Sequence, residues 1–333
     1  MRTLFIGLFI VSFFFSNVQA AFSAENEKDE KTLREERMSL YKKAEATTHI
    51  PWYYFAGIDQ YERQVRRTHK DIPHEKGALG IYIEPSRWVG LMNPHKEAQN
   101  ETVISLFGGI GKDGNGDGKA DQYDDEDILY TIGSYLQSYG ITPSQIKIGL
   151  WQYYHRDRTV SIILGHAKLF KTFGTLDLDH HAFPLPLNAN FSYKNTWGDA
   201  RGWGGRRIHE GTDIFANYSV PVRSTCYGII EMKGWNRYGG WRLGIRDVNN
   251  TYHYFAHLSG FTKDLEVGQV VEPGMVVGGV GSTGYGPPGT SGKFPPHLHY
   301  GMYKDNGRTE WSFDPYSHLK MWERADRQKA AKK

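Results

Sequence analysis

The chain has 333 residues, of which 39% are hydrophobic and 14% aromatic, so it can form packed cores and wholesale disorder is excluded. Its 40 basic and 37 acidic residues leave a net charge of +3 without a basic stripe, so no nucleic-acid partner is expected. A single cysteine, Cys226, excludes an intramolecular disulfide and a Cys-x-x-Cys metal knuckle, and we expect it to be a small buried apolar residue.

Residues 1–20 have the pattern of a secretory signal peptide. Arg2 precedes an apolar run over residues 4–15, and Val18-Gln19-Ala20 has the small residues of a cleavage site. The run has about a dozen residues, whereas a bilayer span needs about 20. We therefore predict a secreted protein of the bacterial cell envelope or cell wall with no stable membrane span after cleavage; an uncleaved anchor is the alternative.

The region after the signal peptide is predicted to be a charged tether followed by a mostly α-helical domain. Residues 21–48 are rich in charge and poor in apolar groups, with helix expected from Lys31 onward. Within the domain at 49–172, Pro143 suits the first turn of a helix. Helices are predicted over residues 52–68, 125–139, 143–154 and 158–172.

Residues 113–124 follow the ligand spacing of a calcium-binding EF-hand loop. Oxygen-bearing side chains stand at the loop positions that supply ligands, Gly118 stands at the sharp turn, and Asp replaces the usual Glu at the last position. The alternative is a polar turn that binds no metal. The predicted calcium ligands are Asp113, Asn115, Asp117, Lys119 through its carbonyl oxygen, Asp121 and Asp124.

The same domain carries a second set of motifs. They are Ile50-Pro51-Trp52 leading to Tyr61-Glu62, Gly77-Ala78-Leu79-Gly80 before Pro85-Ser86-Arg87-Trp88, the acidic loop, and Trp151-Gln152-Tyr153-Tyr154. In these segments the chain resembles the soluble lytic transglycosylases of the lysozyme superfamily. The resemblance implies that Glu62 is the general acid that protonates a glycosidic oxygen, a role that needs a raised pKa.

Two neighbours of Glu62 argue against that role. Arg63 stands where the resembling family has Ser or Thr, and Arg66, at i+4, shares the helix face of Glu62. A nearby arginine lowers the pKa of a carboxyl group. We therefore expect Glu62 to be ionised and paired with Arg66, and the domain to bind glycan without cutting it efficiently.

From about residue 173 the sequence changes to short alternating runs rich in Gly, Tyr, Val and Thr, which predict an antiparallel all-β domain over 191–318. Pro184 and Pro186 mark a linker over 173–190. A basic tail is expected over 319–333, frayed or as a short helix. Strands are predicted over residues 226–233, 242–246, 251–255 and 270–277.

Three histidine motifs in the β domain point to metal chemistry. His297 and His299, two apart on a strand, project from the same face. Gly211 within the His209-x-x-x-Asp213 motif favours a loop that leads into a strand over a helix. Two imidazoles and one carboxylate leave a fourth tetrahedral position open, as in a catalytic zinc site.

The order of these motifs is specific. It is His209-Glu210-Gly211-Thr212-Asp213, then Phe255-Ala256-His257-Leu258-Ser259, then Gly281-Ser282-Thr283-Gly284, then Pro296-His297-Leu298-His299-Tyr300. In this series, which covers about 185–315, the chain resembles the M23 (lysostaphin/LytM-type) metallopeptidases, which cut bacterial peptidoglycan peptides.

The resemblance implies a groove over a small antiparallel sheet, with Zn²⁺ held by His209, Asp213 and His299. It also implies that His257 and His297 are the general base and the transition-state stabiliser, with the division of roles open. Arg206 or Arg207 could pair with a substrate carboxylate, or both could be solvated surface residues.

The leading hypothesis is a secreted zinc endopeptidase that hydrolyses peptide bonds in bacterial peptidoglycan. One alternative is a bifunctional hydrolase that also cleaves the glycan as a lytic transglycosylase. The other is a non-catalytic protein that binds or organises the cell wall. The expected partners are the peptides and glycan strands of peptidoglycan.

Overall fold

The computed structural model describes residues 29–69, 72, 77–202 and 207–332. The predicted signal peptide and Arg206 lie outside these residues. Within the described part, every helix is too short or too polar to cross a membrane.

The first half of the described chain is helical. A helix α1 covers residues 29–48. The predicted helices are confirmed, with ends that differ from expectation by no more than two residues. The helix that begins at Pro143 starts with a capping box between Thr142 and Gln145. The helices after α1 are α2 (Trp52–Arg66), α3 (Pro85–Val89), α4 (Glu101–Leu106), α5 (Asp125–Gln137), α6 (Pro143–Tyr154) and α7 (Asp157–Phe173).

Close packing of α2 on α7 forms the centre of the helical half. Gly57 permits this approach, since a Cβ at this position would lie 2.8 Å from the carbonyl oxygen of Ile163. The described part of the segment predicted to be a tether packs onto the same core, where Tyr41 of α1 is only 2% exposed. Its hydroxyl donates a hydrogen bond to Asp59 of α2. Residues 29–48 are thus an integral part of the helical core.

The second half is an antiparallel β-structure, as predicted. The central sheet has the strand order β1-β4-β12-β8-β7-β6-β10, with β13 paired to β12. The strands are β1 (Phe191–Tyr193), β2 (Ala200–Arg201), β3 (Arg207–Ile208), β4 (Thr212–Ala216), β5 (Pro221–Arg223), β6 (Gly228–Asn236), β7 (Gly240–Asp247), β8 (Thr251–Leu258), β9 (Gly260–Phe261), β10 (Val270–Val271), β11 (Val276–Gly279), β12 (His297–Asp305) and β13 (Glu310–Phe313).

The single strand predicted over 270–277 is wrong. The structure divides it into β10, which extends the central sheet, and β11, which pairs with β5 and β9 in a separate sheet. The chain turns between them at Pro273 and Gly274, where Pro offers no backbone N–H and Gly has a φ of +88°. Pro273-Gly274 is a turn signal in the sequence, but the apolar residues on both sides led to the prediction of one strand.

The segments predicted as linker and tail are also packed. Phe183 and Leu185 of the connecting segment are fully buried in the β core, as is Cys226 at 1% exposure. The tail forms a helix α8 (Tyr316–Ala331), which inserts Leu319 and Trp322 into the same core. The predicted basic tail is therefore a structural helix over most of its length.

The two halves contact each other directly. Arg156, immediately before α7, donates two hydrogen bonds to the fully buried carboxylate of Asp305 at the end of β12. Phe173 at the end of α7 packs edge-to-face on Tyr227, with ring centroids 4.9 Å apart. These contacts join α7 and the residue before it to the β half.

Candidate metal centre and substrate groove

Three of the predicted ligands meet where β4 and β12 pair. Asp213 lies directly opposite His299 in the register of the two strands, and His209 lies on the loop before β4. The Nε2 atom of His209 is 2.8 Å from Nδ1 of His299, and each is 3.1 Å from Oδ1 of Asp213. A Cβ on Gly211 would lie 2.6 Å from the His299 ring, so only glycine lets the loop close this tightly.

The hydrogen bonds around His209 determine which of its atoms faces the cluster. Its Nδ1 is 2.7 Å from the carbonyl oxygen of Thr196, which can only accept, so Nδ1 carries the proton and Nε2 of the neutral ring offers a lone pair. That lone pair converges with a nitrogen of His299 and an oxygen of Asp213. Two imidazole nitrogens and one carboxylate oxygen at this spacing are a donor set that fits zinc.

Arg201 of β2 also contacts the cluster, although the sequence analysis did not select it. Its Nη2 donates to Oδ2 of Asp213 over 2.7 Å, which leaves Oδ1 directed at the two histidines. Burial alone would raise the pKa of Asp213, but hydrogen bonds with His209 and His299 hold this pKa well below its usual range. Several arginines precede His209 in the sequence, and nothing in their spacing distinguishes Arg201.

His257 and His297 lie beside the three ligand atoms, with their ring centroids 4.9 Å apart. The Nδ1 of His257 donates to the carbonyl oxygen of Thr283 over 2.7 Å, and that of His297 to Pro295 over 2.9 Å. Burial, followed by the neighbouring His297 and His299, lowers the pKa of His257 to about 3, and burial also lowers the pKa of His297. Both rings are thus neutral near pH 7, with Nε2 available to accept a proton.

A local backbone distortion brings His257 to this face. Along β8, Tyr254 and Ala256 line the groove, while His253 and Phe255 point to the buried side. Strict alternation would place His257 on the buried side too. Its φ of +62° and the register shift between β7 and β8 turn its side chain into the groove instead.

The cluster lies at the floor of a groove of about 720 Å³. Arg207 and Arg242 line the wall of the groove. The guanidinium of Arg207 lies over the ring of Tyr238, 5.3 Å from its centroid. Nε of Arg242 is buried with no hydrogen-bond partner among the described residues. Neither arginine forms an ion pair in the described part of the chain. The Phe and Tyr residues that line the groove are Phe215, Tyr238, Tyr252, Tyr254, Tyr285, Phe294 and Tyr303.

In the acidic loop of the helical half, residues 113–124, the predicted ligand side chains accept hydrogen bonds from nearby backbone N–H groups and do not converge on one point. The two carboxylate oxygens of Asp113 accept from the backbone N–H groups of Gly116 and Gly118. Asp124 caps α5 by accepting from Glu126 and Asp127. Asn115, Asp117 and Asp121 likewise each accept from the N–H two residues ahead.

The carboxylate of Asp127, which was not among the predicted ligands, accepts three backbone N–H groups of the loop. Among the described residues, the loop does not bring three acidic or imidazole ligand atoms within 4.8 Å of one another. Calcium binding therefore stays a prediction.

The partners of Glu62 differ from the ion pair with Arg66 that the sequence predicted. Arg66 donates to the carbonyl oxygen of Gly80, and no ion pair joins it to Glu62 in the described part of the chain. Arg63 pairs with Asp59 instead. Burial raises the pKa of Glu62 to about 7 against the opposing hydrogen bond from Tyr154, whose hydroxyl lies 2.7 Å from Oε1. The predicted ion pair between Glu62 and Arg66 is wrong, because the guanidinium of Arg66 is directed at the carbonyl oxygen of Gly80.

The chain is similar in sequence to known peptidases. The profile of peptidase family M23 matches residues 207–314. An L-Ala–D-Glu endopeptidase of Bacillus subtilis (strain 168) is 60% identical over 329 residues, which are 99% of this chain and 99% of that protein.

More distant relatives match a part of the chain. Lysostaphin of Staphylococcus staphylolyticus is 32% identical over 115 residues, which are 34% of this chain and 22% of lysostaphin. Among solved structures, the catalytic domain of the antimicrobial peptidase lysostaphin from Staphylococcus simulans is 31% identical. The alignment covers 40% of this chain and 93% of that domain, with a TM-score of 0.31.

Proposed function

Because the chain belongs to peptidase family M23, we propose that it is a zinc-dependent endopeptidase that hydrolyses the bond between L-Ala and D-Glu in the peptides of bacterial peptidoglycan. The observation that carries this proposal is the 60% identity to an L-Ala–D-Glu endopeptidase over 99% of both chains. The geometry supports it, since all five predicted histidine and aspartate residues lie at one groove.

His209, Asp213 and His299 would hold the zinc. The bound metal supplies a Lewis acid that lowers the pKa of a water molecule and polarises the peptide carbonyl. Arg201 keeps one oxygen of Asp213 occupied, so the other stays directed at the histidines. Thr196 fixes the orientation and tautomer of His209.

His257 and His297 would accept and donate the protons that move during hydrolysis. Each holds its Nδ1 proton on a backbone carbonyl, so each neutral ring presents a lone pair at Nε2. One Nε2 accepts the proton that water gives up when its oxygen bonds to the L-Ala carbonyl carbon. The resulting imidazolium returns that proton to the D-Glu nitrogen as the C–N bond breaks. Either imidazole, when protonated, can also donate a hydrogen bond to the oxyanion.

Arg207 and Arg242 would favour an acidic substrate. D-Glu has two carboxyl groups, of which the peptide linkage uses one, so the other can ionise. The guanidinium groups on the groove wall have no carboxylate partner among the described residues and can pair with it. Arg242→Gln should raise KM for a peptide with D-Glu more than for the same peptide with the free carboxyl group amidated. Equal changes for the two peptides would exclude this pairing.

The test of the proposed activity is mass spectrometry of the fragments released from purified sacculi. We expect products with a free L-Ala carboxyl terminus and a new amino group on D-Glu, loss of these products after chelation, and recovery with zinc. His209→Ala is the inactive control. Cleavage at another bond, or release that persists after chelation and in His209→Ala, would contradict the proposal, and absence of any release would favour a binding or scaffolding protein.

We further propose that the protein is exported to the cell envelope, on the basis of the signal pattern in residues 1–20. Amino-terminal sequencing of the protein recovered from the wall or medium should begin at Ala21. Recovery of a chain that still begins at Met1 would show that the segment is retained.

A second candidate function, cleavage of the glycan by the helical half, is favoured by one observation. Burial raises the pKa of Glu62 to about 7, which suits a general acid at neutral pH. Incubation of the full chain with purified glycan strands should then release anhydro-muramyl ends. Their absence, or their persistence in Glu62→Gln, would show that Glu62 serves structure or glycan binding alone.

A further inference from the structure

A second cluster of two histidines and one aspartate lies away from the groove. It comprises His181 on the connecting segment, Asp247 at the end of β7, and His253 on β8. Oδ2 of Asp247 is 3.0 Å from Nε2 of His253 and 3.6 Å from Nε2 of His181. The three ligand atoms lie within 4.8 Å of one another.

The surrounding hydrogen bonds direct these three atoms at one another. Nδ1 of His181 is 2.8 Å from the carbonyl oxygen of Asp179, so it carries the proton and leaves a lone pair on Nε2. Nδ1 of His253 is 2.6 Å from the Tyr300 hydroxyl and 3.0 Å from the Thr225 hydroxyl, and either can accept a hydrogen bond from it when a metal ion binds Nε2. Oδ1 of Asp247 accepts two backbone N–H groups, from Asn249 and Thr251, which leaves Oδ2 for the two rings.

This arrangement repeats the donor set of the groove. A tetrahedral zinc ion with Zn–N bonds of about 2.0–2.1 Å places neighbouring ligand atoms roughly 3.3–3.4 Å apart. The spacings of 3.0 and 3.6 Å from Oδ2 of Asp247 fall on either side of that value. His253 is fully buried and Asp247 is 2% exposed, so both are held in place by the surrounding core.

We propose that His181, Asp247 and His253 bind a second zinc ion outside the peptidase groove. A cavity of about 320 Å³, lined by His181 and Asp247, gives room for water as a fourth ligand. The indole of Trp322 on α8 stacks on the His181 ring, with centroids 4.8 Å apart and planes at 3°. The ion would thus fasten the connecting segment to the sheet beside α8.

The test uses the full chain, stripped with a chelator, reloaded with zinc and passed through gel filtration before elemental analysis. We expect two zinc ions per wild-type chain, one in His209→Ala, one in His181→Gln, and none in the double variant. His180→Gln, which changes the exposed neighbouring histidine, is the matched control and should keep two.

A second readout isolates the new site. In His209→Ala, zinc should raise the melting temperature, and Co²⁺ should give the d–d absorption of a histidine-bound ion; both effects should vanish when His181→Gln is added. Zinc-free His209→Ala protein, or His181→Gln protein with as much zinc as the wild type, would overturn the proposal in favour of a metal-free hydrogen-bond network. The His209→Ala measurement decides the matter even where His181→Gln fails to fold.

Discussion

The helical half and the β half use their polar side chains in different ways. In the acidic loop of the helical half, Asp113 and Asp124 already accept backbone N–H groups of their own segment. In the β half, backbone carbonyls hold the outer nitrogens of His209 and His257, which leaves the inner nitrogens facing the groove. Residues with the sequence spacing of metal ligands therefore form a strong candidate metal site where surrounding groups turn their donor atoms toward one point.

Among the tests of this comparison, we expect the largest effect from substitution of a proposed metal ligand in the groove. His209→Ala or Asp213→Ala should lower peptidase activity on the order of 10³-fold, because the remaining donors cannot hold a catalytic ion or stabilise the oxyanion. Each variant should also lose one zinc ion per chain. His95→Ala, an exposed position in the helical half, should keep both activity and zinc. Full zinc content in both ligand variants would refute the ligand assignment.

Removal of a proton-transfer group should have the next largest effect. His257→Ala is expected to retain its zinc and to lose activity on the order of 10²-fold or more, since its Nε2 faces the groove without contacting the carboxylate of Asp213 as a ligand does. Parallel measurement of zinc content and turnover checks this. Turnover near that of the wild type would remove His257 from the mechanism.

In the helical half, Glu62 should make stability depend on pH. Its pKa is raised from 4.5 to about 7 in the folded protein, so its contribution to stability is fully present below about pH 4.5 and is lost as pH rises through about 7. We compare the free energy of unfolding, measured with denaturant, of Glu62→Gln and wild type. The difference should change in favour of Glu62→Gln by on the order of 3 kcal/mol when the pH is raised from 4 to 8. The exposed variant Glu97→Gln should show no such shift. An equal difference at both pH values would argue against a buried, protonated Glu62.

Calcium should have the smallest effect. The loop carboxylates already accept backbone N–H groups, so calcium must bind through their remaining lone pairs and through carbonyls. Millimolar calcium is expected to raise the melting temperature by a few degrees in wild type and in His209→Ala, but not in Asp113→Ala. A melting curve that calcium leaves unchanged in the wild type would identify the loop as a metal-free turn.

The local patterns of the chain were sufficient to predict much of its secondary structure. Thr142 and Pro143 marked the start of α6, and the alternation around His297 and His299 marked β12, because capping and strand periodicity involve only neighbouring residues. The turn at Gly274 was missed, since apolar β-branched residues on both sides of it favour strand and were read as one element. The partner of Glu62 was misjudged, because spacing along a helix gives the nearest charges but not the tertiary contacts that compete for them.

The sequence by itself determined the residue types proposed to bind zinc and the shared face of His297 and His299, since side chains along a regular strand alternate with period two. Only the tertiary structure placed Asp213 opposite His299, brought Arg201 to the carboxylate and turned His257 out of its strand face. It also joined His181 to Asp247 and His253. These contacts depend on strand register, a bulge and the path of a connecting segment, which arise from pairings between distant parts of the chain.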